Sequence, residues 1–302
     1  MSFTTTATLY YKPSGKTPVG GIVIFLAGGI IAAWILGIVY TYVVEYIPFV
    51  TIRVIATIFF GVLLGVMFSP LSKIGKLRSP TKVTILAIVV TLVGLWLHWA
   101  FFCAFILNKY GSAAAYPLIP TYIHLLKFPS EVLHTANSIL EHGHFTIGGG
   151  STPVTGIDLA VIWVIETLII LGFSVPFAHI LANSPYSETL DRWADAEDLP
   201  GTPPFFPDIT ATKKSLRAGD FSLILNAEKT STAPHSIITL HVVEGDPDCC
   251  YLTLANLTVT TNKKGRHQRK TTNIVKHLRI THEIAQKLRA KFAHVTQQPL
   301  AA

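Results

Sequence analysis

Two polar side chains interrupt otherwise apolar runs. Glu166 stands in "VIWVIETLII" (161–170) and His98 in "LWLHWAF" (95–101). Carboxylate and imidazole are the usual proton carriers near neutral pH. Inserting an acidic group at the centre of a spanning helix costs about 2.5–3.5 kcal/mol, which a bound proton or a partner offsets. His98 lies nine residues before the end of its run, near Leu107, and Glu166 eight residues after the start of its own, near Asp158. At 1.5 Å per residue both sit about 12–14 Å from the same boundary. Equal depth allows a Glu166–His98 pair. Such a pair either handles protons or cations or fixes helix register by a hydrogen bond. With one acidic residue well inside only one run, the register reading is preferred.

A second candidate is basic. "NKKGRHQRK" (262–270) carries Lys263, Lys264, Arg266, Arg269 and Lys270 around a four-residue turn. Beside a membrane such a cluster attracts anionic headgroups at about 1 kcal/mol per charge. Nucleic acid is disfavoured as a partner, because no aromatic stacking platform adjoins the turn. A third candidate is "EHGH", where Glu141, His142 and His144 are types that ligate zinc. The spacing is not the i, i+4 of a helical zinc pair, so solvated polar positions are the preferred reading and no metal is assigned. "PSGKT" (13–17) lacks the first glycine and the preceding strand of a phosphate-binding loop. "NLT" at Asn256 matches a glycosylation pattern by chance. Cys103, Cys249 and Cys250 have no C-x-x-C spacing and read as ordinary small residues.

These residues must be positioned by a membrane protein. Half of the 302 residues are hydrophobic and only 14% are charged, whereas a soluble domain carries about 25% charged residues. Four apolar runs, 19–44, 54–71, 83–107 and 157–181, have the length of spanning helices. Arg53 at the edge of the second run is expected to snorkel to the interface. Tyr40, Tyr42 and Tyr46 are expected in an interfacial aromatic belt. The stripes Gly29–Ala33–Gly37 and Gly61–Gly65 suit close helix packing within the chain more than dimerisation. Lysine and arginine concentrate in the N-terminal arm, the second loop and the tail, which places both termini in the cytoplasm. The first run is longer than a signal peptide's apolar region and reads as a retained helix.

The expected organisation is a four-helix transmembrane domain over 1–182, with an outward loop at about 108–156 that contains a helix at "PSEVLHTANSILEHG". A juxtamembrane acidic segment and linker follow at 183–206. In it Ser187 is expected to cap a short helix. A cytoplasmic α+β domain occupies 207–302, with strands at "DFSLILNA", "SIITLHVVE", "CYLTLANLTVTT" and "RHQRKTTNIVKHLRI" and a helix at "THEIAQKLRAKFAHV". Residues 183–248 hold eleven acidic and five basic residues, and 249–302 hold one acidic and ten basic.

"YYKPSGK", "FTIGGGSTPVTGIDLAVIWVIETLII" and "SPYSETLDRWA" resemble segments of uncharacterised bacterial multi-pass membrane proteins. The resemblance covers the membrane half and implies an inner-membrane location but no activity. Relatives of this kind carry cysteines after the last helix, at places that match Ser187, Leu190 and Ala194, which bind no zinc. No nucleophile–base constellation occurs, which argues against an enzyme, and no cofactor is implied. The sequence points to a structural, scaffolding or regulatory membrane protein whose cytoplasmic domain meets anionic lipid or a protein partner. The alternative is a small proton- or cation-coupled transporter or channel using Glu166 and His98.

Overall fold

The computed structural model describes residues 9–47, 49–111, 115–143, 145–146, 152–230, 233–261 and 267–293. The chain forms two compact units. One is Ser14–Asn183, and the other joins Met1–Pro13 to Ser184–Ala302.

The first unit is helical. Helices α1 (Val19–Tyr46), α2 (Val50–Ile74), α3 (Pro80–Tyr110) and α6 (Gly156–Ala182) are the long ones, with α4 (Leu118–Lys127) and α5 (Pro129–His142) between α3 and α6. Among the described residues, four helices are long and apolar enough to cross a membrane. α1 packs on α2 and α3, and α6 packs on the same two. Large apolar side chains such as Val23, Ile31, Ile35 and Leu168 face outward. That is the pattern of helices whose solvent is hydrocarbon. α3 differs at its end: Ala100–Ile106 are all buried, because α4 and α5 pack against this stretch through Tyr122, Leu125, Val132 and Ile139. This wrapping accounts for Cys103, which is fully buried with Sγ 3.8 Å from the Val132 carbonyl. α5 was legible from its apolar face and from Gly143, whose φ of 73° ends it. α4, between two prolines, was not.

The second unit is an antiparallel sheet in the order β3 (Asp195–Asp198), β4 (His235–Val242), β5 (Cys250–Thr261), β6 (His267–Arg279). Burial alternates strictly along β4, so Ile238, Leu240 and Val242 face one side. Helices α7 (Ile209–Arg217) and α9 (His282–Phe292) close that side with Leu216, Ala285, Leu288 and Phe292. Asp208 caps α7 through Ala211 N at 2.8 Å, and Thr281 caps α9 through Ile284 N at 3.3 Å. Two register shifts interrupt the β5–β6 ladder, and the irregularity lets both Ile274 and Val275 enter the core. Leu9–Tyr11 lies along the β6 edge: Tyr11 N donates to the His277 carbonyl and Arg279 N to the Leu9 carbonyl, both at 2.9 Å. At His277–Arg279 this edge is therefore covered by the N-terminal arm.

Two expectations fail here. "SPYSETLDRWADAEDL" forms no helix. Ser187 accepts from Leu190 N at 3.0 Å and donates to Asp246, which closes a turn between the two-residue strands β1 (Tyr186–Ser187) and β2 (Arg192–Trp193), and β3 follows. "DFSLILNA" holds the short helix α8 (Ser222–Leu225) instead of a strand, because Asp220 Oδ1 accepts from Ser222 N at 2.9 Å and starts the turn. Short apolar runs carry no period to separate the two. In the proline-rich stretch, Gly201 N donates to the Phe292 carbonyl at 2.8 Å, and an added Cβ would meet that same oxygen at 2.9 Å. Asn256 is buried, with Oδ1 accepting from Ser236 at 2.6 Å and Nδ2 donating to the Phe206 carbonyl at 2.7 Å. That side chain is committed to the fold.

On the other side of the sheet His241 and His277 meet edge to face at 4.6 Å, with Tyr11 and Tyr251 beside them. His277 has φ of 53° at the bulge. Burial, and then the neighbouring His241 and Lys276, push His277 down to about 3 from 6.5; burial also lowers His241. Below pH 6.5 the unfolded chain takes up a proton that the folded sheet refuses. Stability of this unit should therefore fall as pH drops from about 6.5 towards about 3. His277→Asn tolerates the positive φ and should flatten that slope, read as denaturation midpoint against pH.

Candidate functional site

The helices of the first unit meet through small residues at constant offsets. A Cβ on Gly29 would touch Val90, one on Gly94 would touch Ala33, and one on Gly37 would lie 3.1 Å from the His98 Cβ. Each pair is 61 positions apart, so α1 and α3 run parallel in fixed register. Gly61 meets Ile170 and Gly65 meets Ser174, each 109 positions on, which sets α2 parallel to α6. Both stripes are thus occupied by packing inside one chain.

This register brings one polar side chain from each long helix to a single cavity of about 30 Å3. Tyr40, Arg53, His98 and Glu166 line it with Thr167, and Trp99, Phe102, Phe145 and Trp163 complete the walls. His98 is buried. Its Nδ1 lies 3.0 Å from Thr41 Oγ1 and 3.2 Å from the Gly37 carbonyl. Thr41 donates its own proton to that carbonyl at 3.0 Å. The Nδ1–H must therefore be the donor, which leaves Nε2 an acceptor. Tyr40 Oη lies 2.8 Å from Thr57 Oγ1, and Thr57 Oγ1 lies 2.9 Å from the Arg53 carbonyl. Glu166 lines the same cavity as Tyr40.

Arg53 is the central charge. It is 9% exposed, and its guanidinium lies 4.1 Å over the Phe145 ring. It interacts electrostatically with Glu45 and Glu166. Among the described residues its buried Nε has no hydrogen-bond partner. Glu45, nearly inaccessible, is held 3.5 Å from Lys109 Nζ. Two acids and two bases thus balance across four helices, the requirement for buried charge.

The two sequence-derived residues, Glu166 and His98, line the same cavity, but the hydrogen bonds of His98 go to α1. The partners facing Glu166 are Arg53 and Tyr40. Arg53 does not snorkel: it turns inward, where two carboxylates and an aromatic face replace the water it gives up. Tyr40 also leaves the expected belt for the interior, while Tyr42 and Tyr46 stay exposed and stack at 6.1 Å. The sequence signal for Arg53 was its place near the end of a run, which fits both outcomes. Glu45 carried the same ambiguity.

The other candidates lie elsewhere. Glu141 accepts from Asn137 at 2.8 Å, and His142 Nδ1 lies 2.9 Å from the Ser138 carbonyl. His144 lies outside the described residues. Arg269 and Lys270 are exposed on β6, paired with Val259 and Thr258. Lys263, Lys264 and Arg266 also lie outside the described residues. Comparisons with protein-family models, curated proteins and solved structures find no match.

The glycine register is open to test. A Cβ on Gly65 would fall 2.9 Å from the Ser174 carbonyl and from Phe177, whereas nothing lies within 4 Å of one on Gly172. Gly65→Leu should destabilise the helical unit by about 1–3 kcal/mol, and Gly172→Leu should be neutral, read by detergent-induced unfolding.

Proposed function

We propose that this is a membrane-anchored scaffold or regulator. In this reading the four long helices span a bacterial inner membrane with both termini in the cytoplasm, and the sheet unit is the cytoplasmic working part. Its surface for anionic lipid headgroups is the β5–β6 ribbon. The carrying observation is the ribbon's reach. β4 pairs with β5 only over Cys250–Leu257, while β5 and β6 continue as a two-stranded arm from Thr258↔Lys270 to Thr261↔His267. Gln268–Lys270 are exposed along it. An arm that leaves the sheet core and carries Arg269 and Lys270 presents charge without burying it. Lys263, Lys264 and Arg266 belong to the segment that joins the two strands.

Two further observations support the reading. The acidic edge strand β3 stands at the opposite side of the sheet from β6, so the charge separation in the tail sequence is also spatial. The cavity among the long helices has room for a water or two and nothing larger, which suits an anchor better than an open conduit.

The full-length chain in nanodiscs of neutral lipid should capture vesicles that contain anionic lipid. The attraction acts over a Debye length of about 8 Å at physiological ionic strength, so capture should be lost at high salt. Replacing Lys263, Lys264, Arg266, Arg269 and Lys270 by Gln should abolish it. Equal capture of neutral vesicles, or capture that salt does not weaken, contradicts the proposal.

A further inference from the structure

A second cavity in the helical unit, of about 850 Å3, lies where α4 and α5 fold back on the end of α3. That is the size of a small-molecule site. Ile106, Leu125 and Ile139 are buried and give it an apolar base. Its chemistry stands at the corner between the two short helices, which a single residue, Phe128, separates. His124 is in the last turn of α4, and Glu131 is in the first turn of α5, where the helix dipole favours a carboxylate. His124 Nε2 lies 2.8 Å from Glu131 Oε2, and both side chains are half exposed. The His124 ring also packs on the Phe128 ring, with centroids 4.6 Å apart. The pair is thus held in place across the corner and still open to solvent.

The lining selects a class of ligand. Among the described residues Glu131 is the only acidic side chain lining the cavity, and no lysine or arginine lines it. The Glu131 carboxylate has lone pairs beyond the one that His124 takes. Thr135 donates its hydroxyl proton to the Glu131 carbonyl at 2.8 Å, so its Oγ1 is left to accept. Tyr116 adds an aromatic ring, a surface that attracts cations. An anion meets a carboxylate and no fixed positive charge. A metal ion meets too few ligands, because among the described residues no three His, Cys, Asp or Glu side chains gather as a metal site requires. An organic cation with an apolar body matches both the acceptors and the base.

We propose that this cavity binds a small organic cation, with a primary ammonium on Glu131 and Thr135 and an apolar body over Ile106, Leu125 and Ile139. An ammonium brings three N–H donors and no acceptor, the complement of this lining. Its hydrogen bond to the carboxylate is charge-assisted, the stronger kind. His124 is a positioning residue here: it fixes the Glu131 carboxylate from the neighbouring helix. A tie between two helices needs no cavity beside it, and the cavity is what turns this tie into a site. The inference goes beyond lipid capture by the sheet unit and uses none of its residues.

Titrating 2-phenylethylammonium into the full-length chain in nanodiscs of neutral lipid, with the isoleucine δ1-methyls labelled for NMR, tests this. The methyl signals of Ile106 and Ile139 should shift and saturate, whereas that of Ile165, exposed on α6, should not. 2-Phenylethanol and 3-phenylpropanoate keep the ring and lose the positive charge, and each should bind at least about tenfold more weakly. Glu131→Gln should weaken the ammonium by a similar factor. Should Glu131→Gln loosen the α4–α5 corner, Ser138→Leu decides: it keeps the His124–Glu131 pair, fills the cavity and should block binding on its own. No saturable shift at Ile106 and Ile139, equal binding of the three compounds, or ammonium binding that either variant leaves unchanged overturns the proposal. The His124–Glu131 pair is then only a tie between the two helices.

Discussion

A guanidinium inside an apolar helical unit must have its charge answered by protein, and Arg53 is where that constraint acts. Lipid offers a guanidinium neither charge nor hydrogen bonds, so the answer comes from neighbouring helices. Glu166 on α6 and Glu45 on α1 supply it electrostatically, and Phe145 supplies an aromatic face at 4.1 Å. Meeting these demands at once fixes where α1, α2 and α6 stand. α3 enters through His98, whose ring is tied to α1 by Thr41 and the Gly37 carbonyl. Dispersion packing alone leaves apolar helices free to slide, since lipid is as good a neighbour as leucine. The polar groups remove that freedom, and the glycine stripes make the approach close enough for them to reach.

The sheet unit solves a different problem. It has little sequence in which to build a core, and it uses strict alternation on β4, bulges on β6 and two capped helices to close one. Its edges receive different treatment. The N-terminal arm covers the His277–Arg279 end of β6, while the other edge strand is exposed and acidic, a charge pattern that discourages strand addition. The arm that stands clear of the sheet is the basic one. A domain built in this way can present positive charge at a distance from its own acids.

Much of this was legible in the sequence where periodicity was long. The four long helices, β4, β5, β6 and α9 follow from runs of eight or more residues with a clear repeat. α8, the β1–β2 turn and α4 were missed because a few apolar residues between turn formers have no period. The site was half legible. Glu166 and His98 stood out because a single polar residue in an apolar run is conspicuous. Arg53, Glu45 and Tyr40 were missed because a polar residue near the end of a run is expected to seek the interface. Only the tertiary register, carried by the offsets of 61 and 109 positions, shows that these ends turn inward. That register depends on pairs of residues far apart in the chain, and one helix's pattern holds no trace of it.

If Arg53 and Glu166 answer each other's charge across the cavity, they are energetically one unit. A double-mutant cycle on the full-length chain tests it, with Arg53→Met, Glu166→Leu and the combined variant unfolded in detergent. Arg53→Met leaves Glu166 without its counter-charge and Glu166→Leu leaves Arg53 with Glu45 alone, and the first change should cost about 3–5 kcal/mol. The combined variant should lose less than the sum of the two, with a coupling of about 1–3 kcal/mol. Strictly additive losses would contradict the account, because the two charges would then be held by separate parts of the structure.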